Sequence, residues 1–299
     1  MSATTSAATG KLYGVQRVCD AWELPRSSFY ARKVRLVEAP TPLKRGPKTL
    51  VSDEELLALI REDLATSLFT GEGHRKVWGR LRFVRGIKVG RKRVLRIMRE
   101  QSLLSPYRAA RGRVKEHDGK IITAAPNVMW GTDGTKIFTI DDGWCWLFSA
   151  VEHWNAECVG WHVAKTGDRF AALQPLSMAV KQRFGSVAVG SARGLTLRMD
   201  NGSQYLSDHF QNQIKFWGIA PSFAFVSQPQ TNGVVERFNK TLKEQIVYGR
   251  TYRNIEELRV VVTEFMERYN QHWLVEKLGF RSPKQALDDF NNEKLKAAA

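Results

Sequence analysis

Pro229-Gln-Thr-Asn-Gly-Val-Val-Glu-Arg-Phe-Asn-Lys-Thr-Leu-Lys-Glu-Gln245 decides how the rest of the chain is read. Taken as a helix at 100° per residue, it divides into two faces. Val235, Phe238, Leu242 and, one turn on, Ile246 form an apolar stripe able to pack on a sheet. Asn232, Glu236, Asn239, Lys240 and Lys243 collect on a different face. Any surface helix is amphipathic, so the stripe alone carries no function. Two aspartates upstream change that. In Leu195-Thr-Leu-Arg-Met-Asp-Asn-Gly-Ser-Gln-Tyr205 a short apolar run stops at Asp-Asn-Gly, which puts the Asp200 carboxylate at a strand tip. In Val128-Met-Trp-Gly-Thr-Asp-Gly-Thr-Lys-Ile-Phe138 a second strand carries Asp133.

Asp200 and Glu236 are separated by 35 residues. Asp, Asp and, at that distance, Glu resembles the catalytic triad of the retroviral integrase and transposase superfamily. The neighbouring residues narrow the likeness. Trp130-Gly-Thr-Asp133, Asp200-Asn-Gly-Ser-Gln-Tyr205 and Asn232-Gly-Val-Val-Glu-Arg-Phe-Asn-Lys-Thr-Leu-Lys243 are similar to the second-frame (OrfB) transposases of the IS-three insertion-sequence family. Several spaced motifs agree in order, and the likeness covers most of the chain. It implies a ribonuclease-H-like integrase core of α/β class, with a five-stranded mixed sheet and flanking helices. All-α helix-turn-helix DNA-binding modules would precede that core.

The resemblance also implies chemistry. Asp133, Asp200 and Glu236 would be catalytic and hold two Mg²⁺ or Mn²⁺ ions. Asp133 would bridge the pair, with Asp200 on one ion and Glu236 on the other. The site would first hydrolyse DNA at an element end and then use the freed 3′-hydroxyl to attack another phosphodiester. Implied partners are double-stranded DNA (terminal repeats and target) and further copies of the chain on that DNA. An upstream-frame OrfA protein, or a fusion to it, is a further implied partner. The expected setting is the bacterial cytoplasm, on the nucleoid. The chain departs from the family in two places. Trp273 and Val275 stand where an Arg and a His commonly follow Tyr-Asn, and Glu152 stands where Asp is frequent.

The residues support such a partner independently. The formal charge is +16, and it is unevenly spread: residues 1–120 hold 26 Lys and Arg against 12 Asp and Glu, the remainder 20 against 18. A basic half of that kind suits phosphate neutralisation, though ribosomal and membrane-surface proteins share it. No apolar run is long enough to span a bilayer. Cys19, Cys145 and Cys158 lie far apart without a C-x-x-C pair, which fits a reduced compartment and excludes a structural zinc site.

Six segments follow. Residues 1–37 read as helix, turn at Glu23-Leu-Pro25 and basic helix from Arg26, either a helix-turn-helix or a plain helical hairpin. Residues 38–49 form a Pro-rich basic linker. Residues 50–105 open with the capping box Ser52-Asp-Glu-Glu55 and end in Gly90-Arg-Lys-Arg-Val-Leu-Arg-Ile-Met-Arg-Glu100. In that helix Val94, Leu95, Ile97 and Met98 face inward, while Arg91, Lys92, Arg93 and Arg96 face largely outward, for DNA or merely for water. Residues 106–124 are a second basic linker, 125–250 the catalytic core and 251–299 a C-terminal helical segment. Within the core, Asp141-Asp-Gly143 reads as a hairpin turn despite its paired carboxylates, and Asp168 as a helix cap. Pro175 should kink or split the helix that follows. Ala220–Val226 reads as the fifth strand and Ser227–Gly233 as a mobile loop before the catalytic helix.

Lys240 and Lys243, one and two turns beyond Glu236, are placed to hold phosphates flanking a cut. Arg26, Arg91, Lys92, Arg93, Arg96, Gln204 and Asn232 complete the expected DNA contacts, with Asn201 and Ser203 as weaker candidates. None of the six histidines falls in a ligand or base pattern. Two other functions remain open at this point: a DNA-binding regulator that does not cut, and a nuclease or resolvase without strand transfer.

Overall fold

Five strands build one sheet: β1 (Met129–Thr139), β2 (Gly143–Glu152), β3 (Cys158–Ala164), β4 (Thr196–Met199) and β5 (Ala220–Phe223), in the spatial order β3-β2-β1-β4-β5. The computed structural model describes residues 3–37, 50–107, 121–224 and 232–298. β1, β2 and β3 run antiparallel, and β4 and β5 join parallel to β1. This is the mixed sheet expected of a ribonuclease-H-like core. The first linker, residues 108–120 of the second, residues 225 and 226 of the expected fifth strand, and residues 227–231 of the expected loop before Gly233 lie outside the described residues.

Each face of the sheet carries a core. On one face Ile137, Leu147 and Val151 pack against Val235, Phe238 and Leu242 of α9 (Gly233–Leu242) and Ile246 just beyond it. The same cluster takes Leu258, Val262, Phe265 and Met266 from α10 (Ile255–His272). The apolar stripe of the opening segment is therefore its buried face. On the other face Trp130, Phe148 and Ala150 meet α6 (Arg169–Phe184) and α8 (Asp208–Phe216). Asp168 caps α6 by accepting from Phe170 N and Ala171 N. Pro175 does not split this helix, which runs unbroken through it; a Cβ on Gly160 of β3 would collide with the Pro175 carbonyl. Only a glycine lets strand and helix approach so closely.

The turn between β1 and β2 is structural. Asp142 accepts from Ile255 N and pairs with Lys165, and Asp141 pairs with Arg253. Glu152 ends β2 buried, accepting from Asn127 N, Trp154 N and the Trp130 indole. The longer side chain in place of Asp thus satisfies three donors at once. All three cysteines are free and buried.

The chain divides into two units, Met1–Leu50 and Val51–Ala299. In the first, α1 (Gly14–Ala21) and α2 (Arg26–Val37) flank a turn closed by Leu24 N donating to Cys19 O. Cys19 is buried there, whereas Trp22, three residues on, is exposed. The second unit holds both the helical module and the sheet. α3 (Asp53–Thr66) starts at the expected capping box, with Ser52 and Glu55 bonding reciprocally. α4 (His74–Gly79) runs into a π-helical turn, Arg80–Val84, and α5 (Arg91–Glu100) follows. Leu56, Ile60, Val77, Leu81, Val94, Ile97 and Met98 form this module's core.

The module docks on the half that carries the sheet. Phe69, between α3 and α4, is buried in the same cluster as α9 and α10, edge-on to Trp273 at 4.9 Å. The Lys76 ammonium lies 3.8 Å from the other ring of this contact, that of Trp273. Phe280, ahead of α11 (Pro283–Ala298), stacks on Phe83 and meets Trp78. Trp273, one of the two departures from the family pattern, is thus a wall of this joint.

Candidate active site

Asp133 sits in the middle of β1, on the face covered by α9. Its Oδ1 accepts from Gly134 N at 2.8 Å and its Oδ2 from the Asn239 amide at 2.8 Å. Burial raises its pKa above the usual carboxylate range, and the charge of Asp200 adds to this; the two hydrogen bonds and Lys243 oppose it. Asp200 follows β4 directly, exposed, with Oδ1 accepting from Gly202 N at 2.9 Å. Glu236 lies in the first turn of α9, where the helix dipole favours an anion. Its pKa is also raised, by burial and then by Asp133. The fold therefore brings the three expected carboxylates into one electrostatic neighbourhood, with Asp133 at its centre.

A carboxylate whose pKa burial and a neighbouring carboxylate both raise, as for Asp133 beside Asp200 and Glu236 beside Asp133, marks a place that favours an opposite charge. The donor set is all hard oxygen, without thiol or imidazole, which suits Mg²⁺ or Mn²⁺. Among the described residues, no three His, Cys, Asp or Glu side chains are gathered closely enough to hold a metal ion. The carboxylates share a site without being closed into a cage.

The expected DNA contacts divide. Lys243 is half-buried and acts on Asp133; Lys240 is exposed, 3.8 Å from Glu244. Arg26 and Lys92 are exposed, and Arg91 pairs with Glu276. Gln204, half-buried, brings its side-chain amide against Gly202 in the Asp200 turn, while its backbone carbonyl accepts from Ser207 Oγ. Three expectations need correction. Asn232 is buried, not DNA-facing, because its amide donates to Thr132 O at 3.2 Å and ties the start of α9 to β1. Arg93 and Arg96 do not simply project outward. Both bind Asp53 in the first turn of α3, and Arg93 also donates to Val51 O. These two arginines clamp α5 to α3.

Sequence reasoning missed Asn239 as a holder of Asp133, placing it on the polar face with Glu236 and giving it no role. It also missed Tyr205, fully buried beside Asp133 and Asp200, whose hydroxyl pKa burial pushes up. His153 is buried too, and its pKa is lowered to about 4, first by burial and then by Lys277 and Arg198.

Residues 123–229 and 217–283 match the Integrase core domain family, and residues 52–111 match the HTH-like domain family. The chain is 30% identical over 223 residues to the transposase InsD for insertion element IS2A/D/F/H/I/K of Escherichia coli, a span of 72% of this chain and 73% of the relative. The transposase InsD for insertion element IS2-9 of Escherichia coli strain K12 is 30% identical over 71% of its length. Among solved structures, the HTLV-2 integrase catalytic core domain in complex with magnesium is 18% identical with a TM-score of 0.40, covering 55% of this chain and 97% of that one. The catalytic core domain of BIV integrase is 19% identical, TM-score 0.40, covering 56% and 99%. With a helix-turn-helix-like module ahead of an integrase core, and that identity across nearly three quarters of both chains, this protein belongs to the IS-three family of insertion-sequence transposases, in its second-frame (OrfB) form.

Proposed function

We propose that this chain binds the terminal inverted repeats of its own element and catalyses 3′-end cleavage followed by strand transfer, at Asp133, Asp200 and Glu236. The observation that carries the reading is the geometry around half-buried Asp133: Asn239 of α9 holds its Oδ2, the same helix carries Glu236 in its first turn, and Asp200 directly follows the adjoining strand β4, where its charge is felt at Asp133. Divalent ions held by them would activate the attacking oxygen and neutralise charge on the scissile phosphate. Asn239 and Gly134 N each donate to an oxygen of Asp133 and favour its anion, and Lys243 adds positive charge from the helix that carries Glu236. In the first step a water oxygen forms a bond to phosphorus, the bond to the element's 3′-oxygen breaks, and that oxygen leaves as a hydroxyl. In the second, the 3′-hydroxyl oxygen attacks a target phosphodiester and displaces the target's 3′-oxygen. Both steps exchange one P–O bond for another and need no covalent enzyme–DNA link. Joining two ends to one target calls for more than one copy of the chain on the DNA.

The test is supercoiled DNA carrying the cognate ends, with Mg²⁺ or Mn²⁺ and with chelator. Cutting and joining should require the metal. Glu236→Gln keeps size and helix propensity and removes a ligand charge; it should abolish both steps and leave end binding nearly intact. Strand transfer in chelator, or by Glu236→Gln, would refute the assignment.

A further inference from the structure

The catalytic helix does not end as an ordinary α-helix. After Leu242 it widens into a π-helical turn, Lys243–Val247, with Tyr248 N donating to Lys243 O. Such turns interrupt a helix at a cost and concentrate at functional places. This one begins at Lys243, whose charge reaches Asp133, and buries Gln245. The Gln245 side chain then does what a paired strand would do. Its carbonyl accepts from Thr70 N at 3.0 Å and its amide donates to Thr70 O at 2.8 Å. Thr70 belongs to the helical module, 175 residues away in sequence.

The loop that carries Thr70 is itself braced from within the module. Ser67 Oγ donates to Glu72 and accepts from Phe69 N. Glu72 is buried and pairs with Arg80, which forks onto Asp63 of α3 as well. Beside Thr70, Phe69 is wedged against Trp273 at the end of α10. A series of bonded groups therefore runs from Arg80 through Glu72 and Ser67 to the Phe69–Thr70 backbone, and from Thr70 through Gln245 to the π-turn that begins at Lys243.

We infer that Gln245 is a positioning residue that couples the module's hold on DNA to the catalytic helix, so that an element end bound by residues 51–107 raises the rate at the same chain's carboxylates. This rests on the function proposed above. Gln245 touches neither DNA nor carboxylate; it acts through the π-turn on Lys243 and the helix that carries Glu236. The coupling lies in the range usual between two sites, roughly 5–150-fold.

The experiment compares single-turnover cleavage of two duplexes in metal buffer. One carries the complete terminal repeat, and the other only the few base pairs around the cut. The full-length parent should cleave the complete repeat faster, at saturating DNA, by a factor in that range. Gln245→Ala, and Gln245→Met, which keeps the volume without the two hydrogen bonds, should lose that advantage. Both should retain the parent's rate on the short duplex, its affinity for the complete repeat and its melting temperature to within a few degrees. The inference is overturned if the variants keep the advantage, if the parent has none, or if the variants lose rate equally on both duplexes, as a purely structural glutamine would. If the parent cuts neither duplex, it is the proposed function that has failed.

Discussion

Asn239 shows how much of the site hangs on a residue that sequence patterns do not single out. It donates to Asp133 Oδ2, its own carbonyl faces Ser149 Oγ at 3.5 Å, and it is buried. Partners of this kind orient a ligating group, and their loss typically costs 10–100-fold in metal affinity or activity. Asn239→Ala should therefore raise the Mg²⁺ concentration needed for half-maximal cleavage, with end binding unchanged. A metal titration indistinguishable from the parent's would show that Asp133 needs no such support. The three proposed catalytic carboxylates stood out in the sequence because each has a distinctive frame: a strand tip before Asn-Gly, an alternating strand, a helix 35 residues on. Asn239 was not, since an asparagine on a polar helix face looks the same whether it meets water or a carboxylate. Asn232 failed in the opposite direction. Its polar type suggested a DNA contact, and burial against Thr132 O gave the amide a backbone partner instead.

At the scale of elements, the strands, the capped helices and the apolar stripe of α9 followed from periodicity and caps. Which basic residues of α5 are available to DNA did not. Helical spacing puts Arg93 and Arg96 among the outward residues, but only the packing of α3 across α5 brings Asp53 to them. Hydrogen bonds from Arg96 and then Arg93 hold the Asp53 carboxyl below the usual carboxylate range. A depressed folded pKa gives stability that is present above the unfolded value, about 3.9, and is lost as pH falls through the folded one. Asp53→Asn should therefore melt below the parent at pH 7, and the gap should close as the buffer is taken below about pH 4. A gap that is constant across that range would mean the clamp is not ionic. If either arginine also held a phosphate, that variant would bind element ends more tightly by freeing the cation, which a filter-binding titration would reveal.

Over the whole molecule, charge separates a basic first part from a near-neutral remainder and says nothing of how they pack, whereas Val51–Ala299 is one compact unit. The reason is that the docking contacts are few, aromatic and distant in sequence, and no local period encodes them. Phe280 is their clearest case. It is 7% exposed, stacks on Phe83 at 5.4 Å, meets Trp78 at 5.3 Å, and leaves no room for a side chain on Gly79. It also holds a left-handed backbone, φ 64°, that a non-glycine residue occupies at a cost of roughly 1–2 kcal/mol. Aromatic packing across the joint has to exceed that strain for phenylalanine to be stable there. Truncation of a buried Phe to Ala removes about 3–5 kcal/mol and leaves the backbone cost in place. Phe280→Gly removes the same ring and relieves the strain as well. Denaturant unfolding should therefore rank the parent first, Phe280→Gly second and Phe280→Ala last, the reverse of the usual order of alanine over glycine. If Phe280→Ala unfolds with the parent, the aromatic joint contributes nothing to holding the module on the core. If glycine falls below alanine, the strain at position 280 is not what the backbone angle implies.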